Sequence, residues 1–256
     1  MRYFVRFSYV GTEFHGSQVQ PNGVTVQEVM ENAFATLLRQ PVSLTFAGRT
    51  DAGVHASEMW AHWDWSLDET HSSLPALSKL IASLNSLLPL SIAVQQIFPV
   101  RADAHARYSA TERTYCYHIT TRKDPFAAGR VARVAPGLDF GAMNEAAQLL
   151  LGKHDFASFC KVHTDVKTTF CTVTRAVWEY AEEGQAVFTI VADRFLRNMV
   201  RAVVGTLLEV GRGRMTIGQF ADVLAAKNRS AAGQSAPAEG LYLVRVAYPD
   251  TIYLNE

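Results

Sequence analysis

One short polar stretch combines a carboxylate, a guanidinium and two glycines. Residues 48–56 read GRTDAGVHA, so Arg49 and Asp51 stand between Gly48 and Gly53. The flanking residues 44–47 and 59–65 are strand-like, which predicts a turn at the tip of two β-strands. An ionised carboxylate can attack a carbon atom, and a neighbouring cation in a dry pocket would keep it ionised. By composition alone the stretch is also an ordinary turn with a solvated arginine.

Composition and charge indicate a globular chain without a strong electrostatic bias. Hydrophobic residues make up 48% and charged residues 19% of 256 residues, enough for one large domain or two ordinary ones. The formal net charge is zero, so any surface that binds nucleic acid requires segregated charge. Residues 101–133 and 194–214 are such basic segments. Solvated faces explain them equally well.

Other chemical classes find little support. The three cysteines form no C-x-x-C pair, which argues against a disulfide framework and a zinc site. Residues 2–7 lack the apolar block of a signal peptide. The apolar run 199–210 contains Arg201 and Glu209, which argues against a membrane span. We therefore expect a soluble cytoplasmic protein that does not use a metal.

The first part of the chain alternates strand patterns with helix patterns. Thr25 and Glu28 have the spacing of a capping box at the start of the first helix. The order strand, helix, strand, strand, helix, strand predicts a ferredoxin-like layout with helices on one face of a mainly antiparallel sheet. The predicted strands are 3–9, 44–47, 59–65 and 92–98, and the predicted helices are 26–38 and 74–87.

The second part has a similar order of elements. A helix over 195–210 would place Arg194, Arg197 and Arg201 on one face, and Thr216 with Gln219 predicts a reciprocally capped short helix. The fold class is therefore α+β, with halves 1–105 and 106–256. The predicted strands are 111–120, 173–180, 186–192 and 241–248, with a turn at 183–184 between the second and the third. A further helix is predicted over 139–151 and is closed by Gly152. The predicted loops are 154–169 and 228–240.

The stretch 48–56 resembles the signature loop of the TruA family of tRNA pseudouridine synthases. Further blocks that resemble that family occur in the family's order over essentially the whole chain, both before and after this stretch. They are GTEFHG (11–16) with Gln18, Gln20 and Pro21, ARYSA (106–110), YCY (115–117), GKHDF (152–156), MVR (199–201) with VG (204–205), and APAEGL (236–241). One position departs from the pattern, because Ser17 stands where the family usually has Trp. This departure bears on packing of the loop rather than on the chemistry of Asp51.

The resemblance implies a role for each matching residue. Asp51 would be the nucleophile, Arg201 would pair with it, and Tyr115 would stack on the target base. Arg49 would help to extrude the nucleotide. The residues that would contact tRNA are Arg107, His163 and Lys167. Pattern alone favours an inward aromatic of a strand for Tyr115 and solvated side chains for the arginines.

The same resemblance implies a complete activity. It is the isomerisation of uridine to pseudouridine at positions 38 to 40 of the tRNA anticodon arm, without metal or organic cofactor. It also implies two ferredoxin-like or RRM-like halves with a catalytic cleft between them, and a homodimer. Asp51 could attack C1′ or C6 of the nucleotide first.

Two functions from other classes are alternatives. A non-catalytic RNA-binding module would bind single strands through exposed aromatics, for which Trp60, Trp63 and Trp65 are candidates. A glycosidase would use Asp51 with a second carboxylate, but no matching motif supplies one. The combination of Asp51, Tyr115 and Arg201 favours the synthase.

Overall fold

The computed structural model describes residues 1–65, 76–161, 167–181 and 184–254. It has an α+β fold with mostly antiparallel strand pairs; β6 pairs with β5 in parallel. The strands are β1 (Arg2–Tyr9), β2 (Thr45–Phe46), β3 (His55–Asp64), β4 (Ile92–Val100), β5 (Glu112–Thr120), β6 (Ala132–Arg133), β7 (Gly152–Asp155), β8 (Phe170–Ala181), β9 (Gln185–Ala192) and β10 (Leu241–Ala247). The helices are α1 (Val26–Leu38), α2 (Leu77–Leu87), α3 (Phe140–Gln148), α4 (Met199–Gly211) and α5 (Ile217–Ala226).

The chain divides into two compact units. The first consists of Met1–Thr111 and Leu243–Glu256, and the second of Glu112–Tyr242. This division differs from the predicted halves 1–105 and 106–256, chiefly because the end of the chain belongs to the first unit. The end of the chain is joined to this unit by hydrogen bonds from the Val246 amide to Glu58 Oε1 and from the Arg101 amide to the Ile252 carbonyl.

The first unit contains the predicted order of strands and helices. Its strands lie in the order β4, β1, β3, β10, with β2 paired to β3. Thr25 caps α1 as predicted, because its side chain accepts a hydrogen bond from the Glu28 amide. The helix α2 begins at Leu77; Leu74, which was predicted to belong to it, lies outside the described residues. The ferredoxin-like description stays a prediction beyond this order of elements.

The tryptophans of β3 and its end belong to the core of the first unit. Trp60, Trp63 and Trp65 are all buried. The Trp63 ring stacks on the Tyr3 ring and makes an edge-to-face contact with the Phe34 ring. Each aromatic ring therefore contributes buried apolar area rather than an exposed platform. The alternative in which these tryptophans stack on RNA is not supported.

The second unit corrects two predicted boundaries. Its strands lie in the order β5, β9, β8, β7. Gly152 was predicted to close a helix, but α3 ends at Gln148, and Gly152 opens β7 opposite Val173. Pairing with β8 therefore decides the conformation of part of the predicted loop 154–169. The predicted turn at 183–184 has Gly184 at φ 84°, and Glu183 lies outside the described residues.

The helix that contains Arg201 is shorter than predicted. Asn198 has a φ of 65°, in the left-handed region, so α4 begins only at Met199. Arg194 and Arg197 precede the helix and do not share a helical face with Arg201, which corrects the sequence prediction. The short helix α5 is confirmed with both hydrogen bonds of its predicted capping box, between Thr216 and Gln219.

The first prediction concerns Gly205 of α4. A Cβ atom there would lie 1.8 Å from the Gln234 carbonyl oxygen. Gly205→Ala must therefore displace backbone, and we expect it to lower the free energy of unfolding by at least about 2 kcal/mol. Gly218→Ala in α5 is the matched control, because its Cβ would be 3.9 Å from its nearest neighbour, Thr216 Oγ1. It should change stability by less than about 1 kcal/mol. Urea titration measures both, and equal effects would contradict the packing argument.

Candidate functional site

Asp51 lies in a tight turn between β2 and β3 of the first unit. Gly53 has a φ of 78°, a conformation that favours glycine, and the Val54 amide donates to the Asp51 carbonyl at 3.2 Å. The Asp51 side chain is half-buried. β3 begins at His55, earlier than the predicted residue 59, because the pairing with β1 extends to Ala56. The end of the signature stretch is therefore strand.

A reciprocal pair of hydrogen bonds fixes the residue before Asp51. The Ser17 amide donates to the Thr50 carbonyl at 3.2 Å, and the Thr50 amide donates to Ser17 Oγ at 2.8 Å. The Thr50 hydroxyl also lies 2.9 Å from the Tyr9 hydroxyl. Ser17 is fully buried. Because buried backbone groups need partners, this pair defines the position of the turn.

Two glycines allow residues 11–17 to approach the turn this closely. A Cβ at Gly11 would lie 1.9 Å from the Val54 carbonyl oxygen, and a Cβ at Gly16 would lie 2.8 Å from that of Thr50. The Gly11 amide donates to Nδ1 of the buried His55 at 3.0 Å. The GTEFHG block is thus a backbone clamp on the signature stretch. The sequence indicated both segments but not their contact.

Ser17 itself was missed as a functional residue by sequence reasoning. Its departure from the usual Trp pointed only to altered packing. Its hydroxyl accepts a hydrogen bond, whereas the indole N–H of Trp only donates. Ser17 therefore accepts a hydrogen bond from the Thr50 amide that a Trp side chain could not accept.

The second unit contains Arg201 and Tyr115. Arg201, at the start of α4, is half-buried and its Nε donates to the Ala236 carbonyl at 2.8 Å. The Ala236 amide in turn donates to the Arg201 carbonyl at 2.9 Å. Tyr115 on β5 is half-buried, with its ring perpendicular to that of Phe195 at 5.0 Å between centroids. Both side chains are therefore held by contacts within their own unit.

The predicted tRNA contacts fall in different places. Arg49 and Arg107 are exposed and line one cavity of the first unit. Lys167 is exposed in the second unit. His163 lies outside the described residues, so its predicted role stays a prediction.

Two histidines organise the turn that contains Arg107. His105 Nδ1 accepts the amide of Arg107 at 3.1 Å, and His62 Nδ1 accepts that of Ala106 at 3.2 Å. Burial and then nearby Arg2 lower the pKa of His62 to about 4, and the same causes lower the pKa of His105. Both rings are therefore neutral at neutral pH, which leaves their Nδ1 atoms able to accept. Neither histidine was recognised from the sequence.

Two features are absent from the described part of the chain. No cluster of three or more His, Cys, Asp or Glu side chains suited to a metal ion occurs there. Across 1–65, 76–161, 167–181 and 184–254, no helix combines the length and apolar character needed to cross a membrane.

Comparison with known proteins extends the motif resemblance to the whole chain. A tRNA pseudouridine synthase A of Parabacteroides distasonis is 54% identical over 253 residues, which cover 98% of each chain. The chain belongs to the tRNA pseudouridine synthase A family. A member from Porphyromonas gingivalis is 51% identical over 99% of each chain, and one from Bacillus licheniformis is 40% identical over 97% of this chain. Residues 146–249 also match the family model described as tRNA pseudouridine synthase.

Membership confirms the family that the motifs predicted. Members of the tRNA pseudouridine synthase A family are isomerases, so an isomerase is the class of enzyme to which the chain belongs. The comparisons concern the chain as a whole. They assign no role to Asp51, Tyr115 or Arg201 individually.

The second prediction concerns Ser17 in this member of the tRNA pseudouridine synthase A family. Ser17→Ala removes the acceptor of the buried Thr50 amide, so we expect a loss of about 1–3 kcal/mol in the free energy of unfolding. Ser86→Ala is the control, since the exposed Ser86 hydroxyl donates to the Ala82 carbonyl of its own helix. Its effect should stay within about 0.5 kcal/mol. If chemical denaturation gives the same midpoint for Ser17→Ala and wild type, the clamp does not stabilise the turn.

Proposed function

We propose that the chain isomerises uridine to pseudouridine at positions 38 to 40 of the tRNA anticodon arm, with Asp51 as nucleophile. The observation that carries this proposal is the clamp of residues 11–17 on the Asp51 turn. The amide and the carbonyl of Thr50, the residue before Asp51, both form buried hydrogen bonds. The Asp51 carboxylate therefore has the positional precision that covalent catalysis requires. The names of relatives that match nearly the full chain, tRNA pseudouridine synthase A, support the substrate class.

The reaction needs one nucleophile. Asp51 attacks either C1′ of the ribose or C6 of the base, and the bond between N1 and C1′ breaks. The detached uracil turns and C5 bonds to C1′. C5 then loses its hydrogen as a proton, and N1 takes up a proton. Asp51 is released at the end, so the reaction requires no oxidant and no reductant.

Arg201 is proposed to orient Asp51 and keep it ionised. Its guanidinium is planar, and the hydrogen bond from Nε to the Ala236 carbonyl fixes its orientation. Tyr115 is proposed to stack on the target base, with Phe195 holding its ring.

The remaining proposed roles concern tRNA binding. Arg49 assists extrusion of the nucleotide, which costs a few kcal/mol in lost stacking. Arg107, Lys167 and His163 contact the tRNA backbone. We also propose that each unit is a ferredoxin-like half and that the enzyme is a cytoplasmic homodimer. The burial of Trp60 and Trp63 weighs against the alternative of a binding module with an aromatic sheet face.

The third prediction tests Arg201. Arg201→Met should lower kcat by about a hundredfold, because an electrostatic contact to the reacting carboxylate is removed, while tRNA affinity changes little. Arg201→Lys should rescue poorly, since a point charge does not reproduce a planar group with several donors. Arg175→Met is the matched control, because Arg175 is exposed and pairs with Glu179 on the same strand. Single-turnover rates and filter binding measure the two effects. Wild-type turnover in Arg201→Met would remove this arginine from the site.

The fourth prediction tests the nucleophile. Asp51→Asn keeps the shape of the side chain but removes its nucleophilicity, so the covalent step should fail while tRNA affinity stays within about tenfold of wild type. Every completed isomerisation releases the hydrogen on C5. Tritium released from C5-labelled tRNA therefore counts turnovers for either order of attack.

The control for Asp51→Asn is Asp103→Asn, an exposed aspartate of the same unit that pairs with Arg101. We expect wild-type release from the control and none above background from Asp51→Asn. Two results would contradict the proposal. One is wild-type release by Asp51→Asn, and the other is no release by the wild-type enzyme on unmodified tRNA with uridines in the anticodon arm.

A further inference from the structure

A cavity of about 250 Å³ lies in the first unit beside the signature stretch. Two arginines, Arg49 and Arg107, line it together with the aromatic rings of His105 and Tyr108. Among the described residues, no carboxylate contributes to its lining. The cavity therefore combines positive charge with aromatic surface, the two features that proteins use to bind single-stranded nucleic acid.

Tyr108 has an unusual exposure for a large side chain. It is 75% exposed, whereas Trp60, Trp63 and Trp65 of the same unit are buried. Its ring lies 4.4 Å from the His105 ring, and the Arg107 guanidinium carbon lies 5.6 Å from its centroid. An exposed aromatic ring with a cation at its side offers a base a surface for stacking and offers a phosphate a partner.

The turn that presents Tyr108 is firmly anchored. The Arg2 guanidinium donates to the Ala104 carbonyl at 2.8 Å, and the Tyr248 hydroxyl donates to the Ala106 carbonyl at 2.6 Å. His105 Nδ1 accepts the Tyr108 amide at 3.3 Å. Because the backbone is already held in place, stacking of a base here causes little loss of conformational entropy in the protein.

We propose that Tyr108 is a stacking platform for one unpaired nucleobase of the RNA, other than the target uridine, with Arg107 binding the phosphate beside it. This inference rests on the proposed function for the identity of the ligand as RNA. It goes further in assigning a second nucleotide site, in the first unit, to residues that have no part in the covalent step. The Tyr108 ring, and not its hydroxyl, carries the interaction.

The experiment uses the full-length Asp51→Asn enzyme, which is expected to bind RNA without turnover. An anticodon-arm hairpin carries the fluorescent base 2-aminopurine at each loop position in turn. We expect binding to quench one loop position other than the target. Tyr108→Ala should abolish that quenching and weaken binding by at least about fivefold, whereas Tyr108→Phe should retain both. Tyr180→Ala, which removes an aromatic of similar exposure from the second unit, should behave like the parent.

Two results would overturn the stacking site. One is an unchanged quenching profile with affinity within about twofold for Tyr108→Ala. The other is an equal loss in Tyr108→Phe, which would assign the effect to the hydroxyl. Tritium release by the otherwise wild-type enzyme is measured on the same RNA in parallel. If tritium is released but quenching and affinity do not depend on Tyr108, only the stacking site is overturned. If no tritium is released but quenching depends on Tyr108, only the proposed catalytic function is overturned.

Discussion

The reciprocal hydrogen bonds between Ser17 and Thr50 are the constraint on which the proposed chemistry depends. Asp51 directly follows Thr50, so the position of its carboxylate is set by how firmly the Thr50 backbone is held. Both backbone groups of Thr50 are paired with a residue that is itself fully buried. Loss of one partner would leave a buried donor unsatisfied, which is more costly than the loss of a hydrogen bond at the surface. The turn thus has one low-energy position rather than several.

The glycines of the first unit serve this constraint. Gly11 and Gly16 admit the backbone of the signature turn to within distances that any Cβ atom would prevent. The two sequence blocks that contain these glycines and Asp51 are separated by the whole of α1, yet they form one structure. A substitution in the first block therefore acts on the Asp51 turn through backbone contact, without approaching the carboxylate itself.

Local signals in the sequence were sufficient for the order of the regular elements, but not for some of their ends or for the contacts of the site. The helix α5 could be predicted because its capping residues lie three positions apart. The start of α4 could not, because it depends on the backbone conformation of Asn198, and the role of Gly152 depends on pairing with a strand about 20 residues away. Asp51 was found through its motif. Ser17 was seen only as a departure, because its hydrogen bond joins residues that no periodic pattern connects.

The same device holds the proposed site residues of both units. Arg201 and Ala236 exchange two hydrogen bonds, as Ser17 and Thr50 do, and in each case at least one partner lies in an irregular segment. A glycine beside each pair, Gly16 or Gly205, meets a backbone carbonyl at a distance that excludes a side chain. Segments without helical or strand periodicity therefore hold the proposed site residues, through backbone groups together with the Ser17 and Arg201 side chains. The glycines admit the close backbone approach, and the Ser17 hydroxyl adds the side-chain acceptor that completes the clamp on Thr50.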